Sequence, residues 1–361
     1  MRNYNMDFIR GIAVLCLVYM NGYAFGLGDY IYTPLAKPPF SDAVIQTLSS
    51  IFIDGRFRTL FSLLFGAGLF IQWQRYKATI PIKARLYWLI IFGLAHGFLL
   101  WAGDILFVYG VCGWWVLKYL DSNNNVLLQK GILFMLLTCI VNFLFLMNMP
   151  DESIYRDSKA FSDLYNPLYI DYFISNLGYN ILAVIAVPFL AFFMFAGIML
   201  IGMYLYKLEV FSKGLTSQQL FVCVSGALTF TSLRLLVPQE NDGLSIAIQE
   251  LVNAYAALFV AVLYIHLIAK LCNNRAHVGT LIQQAGRLAF TLYISQTLMQ
   301  LLLYKVLFPH WALSFNRIDY WLVATALVVV QLLFTALYSR FYTQGPLEFI
   351  WRKLTQAKIS A

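Results

Sequence analysis

Two apolar stretches, each long enough to cross a bilayer, meet at one tight polar corner in residues 84–120, which read ARLYWLIIFGLAHGFLLWAGDILFVYGVCGWWVLKYL. Spans of about 20 apolar residues must satisfy every backbone N–H and C=O internally, which leaves helices and closed barrels as the available solutions. No short alternating segments of barrel type are visible, so the spans are expected to be helices. Hydrophobic residues make up 61% of the 361 positions and charged residues only 12%, a balance that excludes a water-soluble globule with a polar skin.

The apolar runs number about ten: 8–27, 57–73, 86–101, 105–120, 126–147, 178–206, 220–237, 247–271, 288–308 and 320–338. The expected fold is all-α, a polytopic transmembrane helical bundle forming a single integral membrane domain over 1–361. The longest polar stretch, 148–177, has the size of a lid or loop. Lysine and arginine sort by segment. Seventeen of the 25, from Arg2 and Arg10 through Arg85, Arg287 and Lys358, fall in one alternating set, and eight fall in the other with the acidic residues of 151–171. The positive-inside rule then places both termini in the cytoplasm. The net charge of +8 sits in short loops flanking apolar spans, where anionic lipid headgroups account for it, so no nucleic-acid partner is expected.

Five cysteines without a C-x-x-C pair and four scattered histidines argue against a disulfide framework and a dedicated metal site. No motif for a tightly bound cofactor is present. The informative residues are polar groups at awkward depth, because an ionisable side chain in hydrocarbon usually faces a cavity or a partner. Arg10 and Asn21 lie eleven residues apart, as do Arg85 and His96, which places each pair on one helix face about 16 Å apart. Asp104, at the corner, is placed to hold the His96 imidazole in one tautomer. Asp54, Arg56 and Arg58, with Asp104, Arg234, Glu250 and Asn253, suggest a second polar cluster near the outer surface. Gly93 and Gly97 beside His96, and Gly22 and Gly26 after Asn21, predict close helix approach. Pro188 and the pair Gly66 and Gly68 mark candidate helix breaks. The segment LEFIWRKL after Gly345-Pro346 reads as an interfacial amphipathic helix serving as an anchor.

Five ordered blocks carry a resemblance: MDFIRGIAVLCLVYMN from Met6, FRTLFSLLFGAG from Phe57, HGFLLWAGDILFVYGVCG from His96, GRLAFTLYISQT from Gly286 and FYTQGPLEFIWRKLT from Phe341. With these the chain resembles the YeiB-like family of bacterial inner-membrane proteins, whose C-terminal half, here 178–361, carries a domain of unknown function. The N-terminal helices, 1–147, are similar to the transmembrane acyltransferase group, in whose bacterial sugar O-acyltransferases an arginine and a histidine eleven residues apart on the first span carry catalysis. Here that pattern reads Arg10 and Asn21. In the related lysosomal acetyltransferase the catalytic histidine follows in the next loop, and residues 22–40 of this chain hold none.

The resemblance implies transfer of an acyl group from a cytoplasmic donor such as acyl-CoA to an envelope sugar or lipid. The roles are read from this chain's own residues and not from the family: Arg10, Arg85 and Arg287 hold donor phosphates, His96 takes over as base, Asp104 orients it and Asn21 stabilises the oxyanion; Asp54, Arg56 and Arg58 are further binding candidates. The alternative is a small-molecule or lipid transporter using His96 and Asp104 as a proton relay.

Overall fold

The structure is a computed structural model that describes residues 3–27, 32–147, 169–237 and 243–360. Among them no β-strand occurs. The principal helices are α1 (Tyr4–Leu27), α2 (Phe40–Phe52), α3 (Arg56–Tyr76), α4 (Ile80–Leu99), α5 (Leu106–Val116), α6 (Asn124–Leu146) and α7 (Tyr169–Lys207). They continue with α8 (Ser217–Leu236), α9 (Gly243–Cys272), α10 (Thr280–Arg287), α11 (Ala289–Leu301), α12 (Arg317–Tyr338) and α13 (Pro346–Ser360). Among the described residues six of these, α1, α4, α6, α8, α9 and α12, combine the length and hydropathy of a membrane span, and Ala191–Lys207 of α7 is a shorter apolar stretch.

That number is smaller than the ten apolar runs, for identifiable reasons. Helix α3 is long enough, at 21 residues, but carries Arg56, Arg58 and Arg75. The run 105–120 gives only the 11 residues of α5 before tightening into a 3-10 turn, and the run 288–308 gives 13 residues of α11 followed by a π-helical stretch, Leu302–Leu307. In α7 the expected break at Pro188 is absent: the helix runs through it for 39 residues. Helix α2 is an element that the apolar runs do not mark. It is amphipathic, with Phe40, Val44, Leu48 and Phe52 exposed along one face at helical spacing.

Helix α1 is the hub, packing on α3, α9, α10, α11 and α12. Of its most apolar window 61% is buried, against 11% for α8 at the periphery, where Phe221, Leu228 and Leu236 face outward. Glycine sets the closest crossings. A Cβ on Gly11 would overlap the carbonyl of Ile282 in α10, and one on Gly286 would overlap the carbonyl of Asp7 in α1. Gly66 lies against the Met199 backbone and Gly202 against that of Leu63, locking α3 to α7. The glycine at 66 therefore serves packing within an unbroken helix. Gly26, likewise, is covered by the ring of Tyr320 on α12. The acidic stretch that precedes residue 169 lies outside the described residues.

Candidate functional site

The corner between α4 and α5 is built for close approach. Gly93 leaves room for the backbone of Leu106 and Phe107, which brings the start of α5 onto the face of α4 that carries His96. Asn176 of α7 fixes the turn: its Oδ1 accepts the Ala102 N–H at 2.7 Å and its Nδ2 donates to the Gly97 carbonyl at 3.0 Å. Asp104 then does two things with its two oxygens. Oδ2 accepts the N–H of Phe107 in the first turn of α5 at 2.9 Å, a helix-start bond that the positive end of the helix dipole favours. Oδ1 lies 2.9 Å from His96 Nδ1 and also accepts the Tyr293 hydroxyl at 3.3 Å. The contact with Nδ1 is short but does not meet hydrogen-bond geometry, which makes it an electrostatic contact. On the far side of the ring, Nε2 lies 3.0 Å from the Thr297 hydroxyl. His96 and Thr297 are buried, at 4% and 2% exposure.

A chamber of about 250 Å³ opens between α1, α3, α4, α5, α10, α11 and α13. Arg10, Arg85 and Arg287 line it, so three cations separated widely in sequence share one space. Its walls are otherwise largely apolar, with Leu17, Leu64, Phe65, Leu69, Leu86 and Leu106 among them. Arg10 bonds Asp7 one turn away at 3.2 Å. Arg85 stacks over the Trp351 ring at 4.2 Å while the Trp351 indole N–H donates to the Arg85 carbonyl at 3.0 Å.

Helix α13, expected as an anchor, thus forms part of the chamber wall. It also contributes Glu348, whose carboxylate accepts the N–H groups of Phe290 (2.7 Å) and Thr291 (3.1 Å) and the Thr291 hydroxyl (2.6 Å). These are the first orphan donors of α11, capped from a distant helix. Gly345 permits this: a Cβ there would strike the Glu348 carboxylate and the Thr291 hydroxyl.

His96 does not line the chamber, contrary to the expectation of an imidazole bordering a polar passage from Arg85. Tyr293 stands between them. Its side chain lines the chamber, its ring centroid is 5.4 Å from that of His96, and its hydroxyl reaches Asp104. Asn21 is half-buried on α1 and is not among the chamber residues either, because the eleven-residue spacing carries it past the chamber. Tyr293, Thr297, Glu348 and Trp351 are the functional candidates that sequence reasoning missed. Their signal was present as polar or aromatic groups within two of the family-like blocks.

Asp54, Arg56 and Arg58 also lie away from the chamber lining. Arg56 is fully buried at the start of α3, donating to the carbonyls of Ile51 and Asp54 and to the Asn253 side chain. Arg234 pairs with Asp54 at 3.1 Å, so the cluster ties α3, α8 and α9 together. Arg58 places its guanidinium 5.9 Å from the Phe195 ring. Of the remaining histidines, His266 has a packing task, accepting the Leu215 N–H at 2.8 Å. Among the described residues no cluster of metal-ligating side chains occurs.

The comparisons with known proteins extend over nearly the whole chain. The chain is 30% identical over 390 residues to the Uncharacterized protein YeiB of Escherichia coli (strain K12), covering 98% of this chain and 96% of that protein. The chain belongs to the YeiB-like DUF418 family. It is also 26% identical over 393 residues to the Uncharacterized protein YxaH of Bacillus subtilis (strain 168), with coverages of 97% and 93%. A third relative, the Uncharacterized 39.9 kDa protein in amylase 3'region of Bacillus acidopullulyticus, is 29% identical, with coverages of 97% and 92%. The family model, described as Protein of unknown function (DUF418), matches residues 205–358. That segment supplies Arg287, Tyr293, Thr297, Glu348 and Trp351, whereas Arg10, Arg85, His96 and Asp104 come from the part preceding it.

Proposed function

We propose that this family member is a membrane-embedded acyltransferase, one that takes an anionic acyl donor such as acyl-CoA into the arginine-lined chamber and passes the acyl group to an envelope sugar or lipid. One observation carries the reading. Three arginines line one largely apolar chamber together with Tyr293, which is hydrogen-bonded to an Asp104 that also touches His96. Guanidinium groups are the preferred partners of phosphate oxygens, and the apolar wall suits an acyl chain. A carboxylate beside a neutral imidazole is an arrangement that takes up the proton an attacking hydroxyl or amine must lose. Asn21 has no part in this scheme, being away from the chamber. The setting we propose is the bacterial inner membrane, with about ten crossings and both termini in the cytoplasm. The charge segregation supports it: all three chamber arginines belong to the more basic set.

The test uses the purified full chain in lipid nanodiscs with radiolabelled palmitoyl-CoA and acetyl-CoA, scored for donor binding and for transfer to lipid or sugar acceptors. His96→Ala is expected to abolish transfer while retaining donor binding and the folded state. Normal turnover in that variant removes His96 from the mechanism. Sealing of the His96–Asp104 pair behind Tyr293 favours one second reading, a transporter with a proton relay. A flux in proteoliposomes that ignores acyl donors and follows a proton gradient decides for it.

A further inference from the structure

Two kinds of buried polar bonding meet on α11. On one face, Gln296 Nε2 donates to the Val14 carbonyl and to Gln331 Oε1, both at 2.8 Å, while Gln331 Nε2 donates to the Leu292 carbonyl at 2.9 Å. These amide bonds tie α11 to α1 and α12 and carry no exchangeable charge. The other face carries Tyr293 and Thr297, one helical turn apart, and they bracket Asp104 and His96. Three members of this second set, Tyr293, Asp104 and His96, are titratable, and the Thr297 hydroxyl both gives and accepts hydrogen bonds. Asp104 meets its structural task, the bond to the Phe107 N–H, with Oδ2 alone; Oδ1 is shared by Tyr293 and His96. Helix capping therefore does not account for the second oxygen or for the imidazole.

We propose that Tyr293, Asp104, His96 and Thr297 form a proton reservoir behind the chamber wall, reached from the chamber through the Tyr293 hydroxyl. In this scheme Nε2 carries the ring hydrogen and donates it to the Thr297 hydroxyl, which leaves Nδ1 bare beside Asp104 Oδ1 and able to take a proton. A hydroxyl or amine bound in the chamber gives its proton to the Tyr293 oxygen as Tyr293 passes its own to Asp104 Oδ1. From Oδ1 the proton passes to Nδ1, so the carboxylate and the imidazole take it up as one unit. The Nδ1–Oδ1 contact is not aligned as a hydrogen bond, so the ring must turn into line before the proton crosses it. The reverse passage returns the proton to a leaving thiolate, and the cycle balances with no oxidant or metal. The identity of the proton donor rests on the acyl-transfer reading; the connection through Tyr293 does not.

The test is exchange of the His96 ring proton with heavy water, followed by NMR of the full chain in nanodiscs with ¹⁵N-labelled histidine and with no acyl donor present. His96→Gln identifies the resonance. Tyr293→Phe is expected to slow the exchange by about tenfold or more while the backbone amides of α11 exchange as before. Thr297→Val is expected to move the Nε2 resonance toward that of an unbonded donor. If Tyr293→Phe fails to fold, Gly68→Leu, which adds bulk to the chamber, is expected to slow exchange in the same direction. Exchange in these variants as fast as in the parent overturns the proposal, as does an unmoved Nε2 resonance. Exchange that behaves as expected in a protein that transfers no acyl group retains the reservoir and sinks the acyltransferase reading.

Discussion

Gly66 and Gly68 lie two residues apart on α3, and opposite outcomes are expected when each is changed to leucine. At Gly68 an added Cβ meets no atom within 4 Å, and the residue lines the chamber. Leucine there gains about 0.8 kcal/mol of helix propensity over glycine. Its four added carbons occupy roughly 100 Å³ at interior packing density, a large share of a space of about 250 Å³. Thermal unfolding in nanodiscs is therefore expected to be unchanged or slightly raised, whereas affinity for dodecyl phosphate or palmitoyl-CoA is expected to fall by at least about tenfold, or about 1.4 kcal/mol. At Gly66 the same side chain must enter the backbone of Met199, a contact that cannot relax by rotamer change. Overpacking of this kind costs about 1–3 kcal/mol or more and is expected to lower the unfolding temperature sharply. Unchanged ligand affinity in a folded Gly68→Leu protein refutes the chamber as the binding site. Loss of the fold in that variant refutes the open space beside Gly68.

Three further expectations follow from named contacts. Replacing Arg10, Arg85 or Arg287 by glutamine is expected to weaken dodecyl phosphate binding by about tenfold each and to flatten its dependence on salt, read by titration at two ionic strengths. Glu348→Gln removes a charge from the start of α11 and from the chamber together, so stability is expected to fall by about 1 kcal/mol in thermal melts while anion affinity rises. Arg56→Ala strands the Asn253 side chain and two backbone carbonyls and is expected to cost about 3 kcal/mol or more, with binding retained in whatever fraction folds.

The all-α character of the chain was legible because apolar run length reports the solvent directly. Helix continuity was less legible, since hydropathy does not register where a helix tightens or loosens: the apolar run 288–308 contains both α11 and a π-helical stretch. Helix α2 escaped notice because its apolar residues recur every fourth position over 13 residues, too short a segment to read as a span. In the candidate site, Asp104 was readable as a neighbour of His96 because only a tight corner separates them in sequence. The partition between His96 and the arginines was not readable, since it depends on Tyr293, a residue that reads as one more aromatic in an apolar run. Asn21 shows the limit of spacing arguments: eleven residues fix a shared helix face with Arg10 but not what lies opposite that face.

The pocket draws Arg10 from the first helix and Glu348 and Trp351 from the last, with Arg85 and Arg287 from between. Glu348 and Trp351 reach the pocket only through α13, and the first N–H groups of α11 depend on that helix for their cap. Shortening the chain before Glu348 is therefore expected to leave the other helices around a hollow that lacks one wall, with the start of α11 unsatisfied.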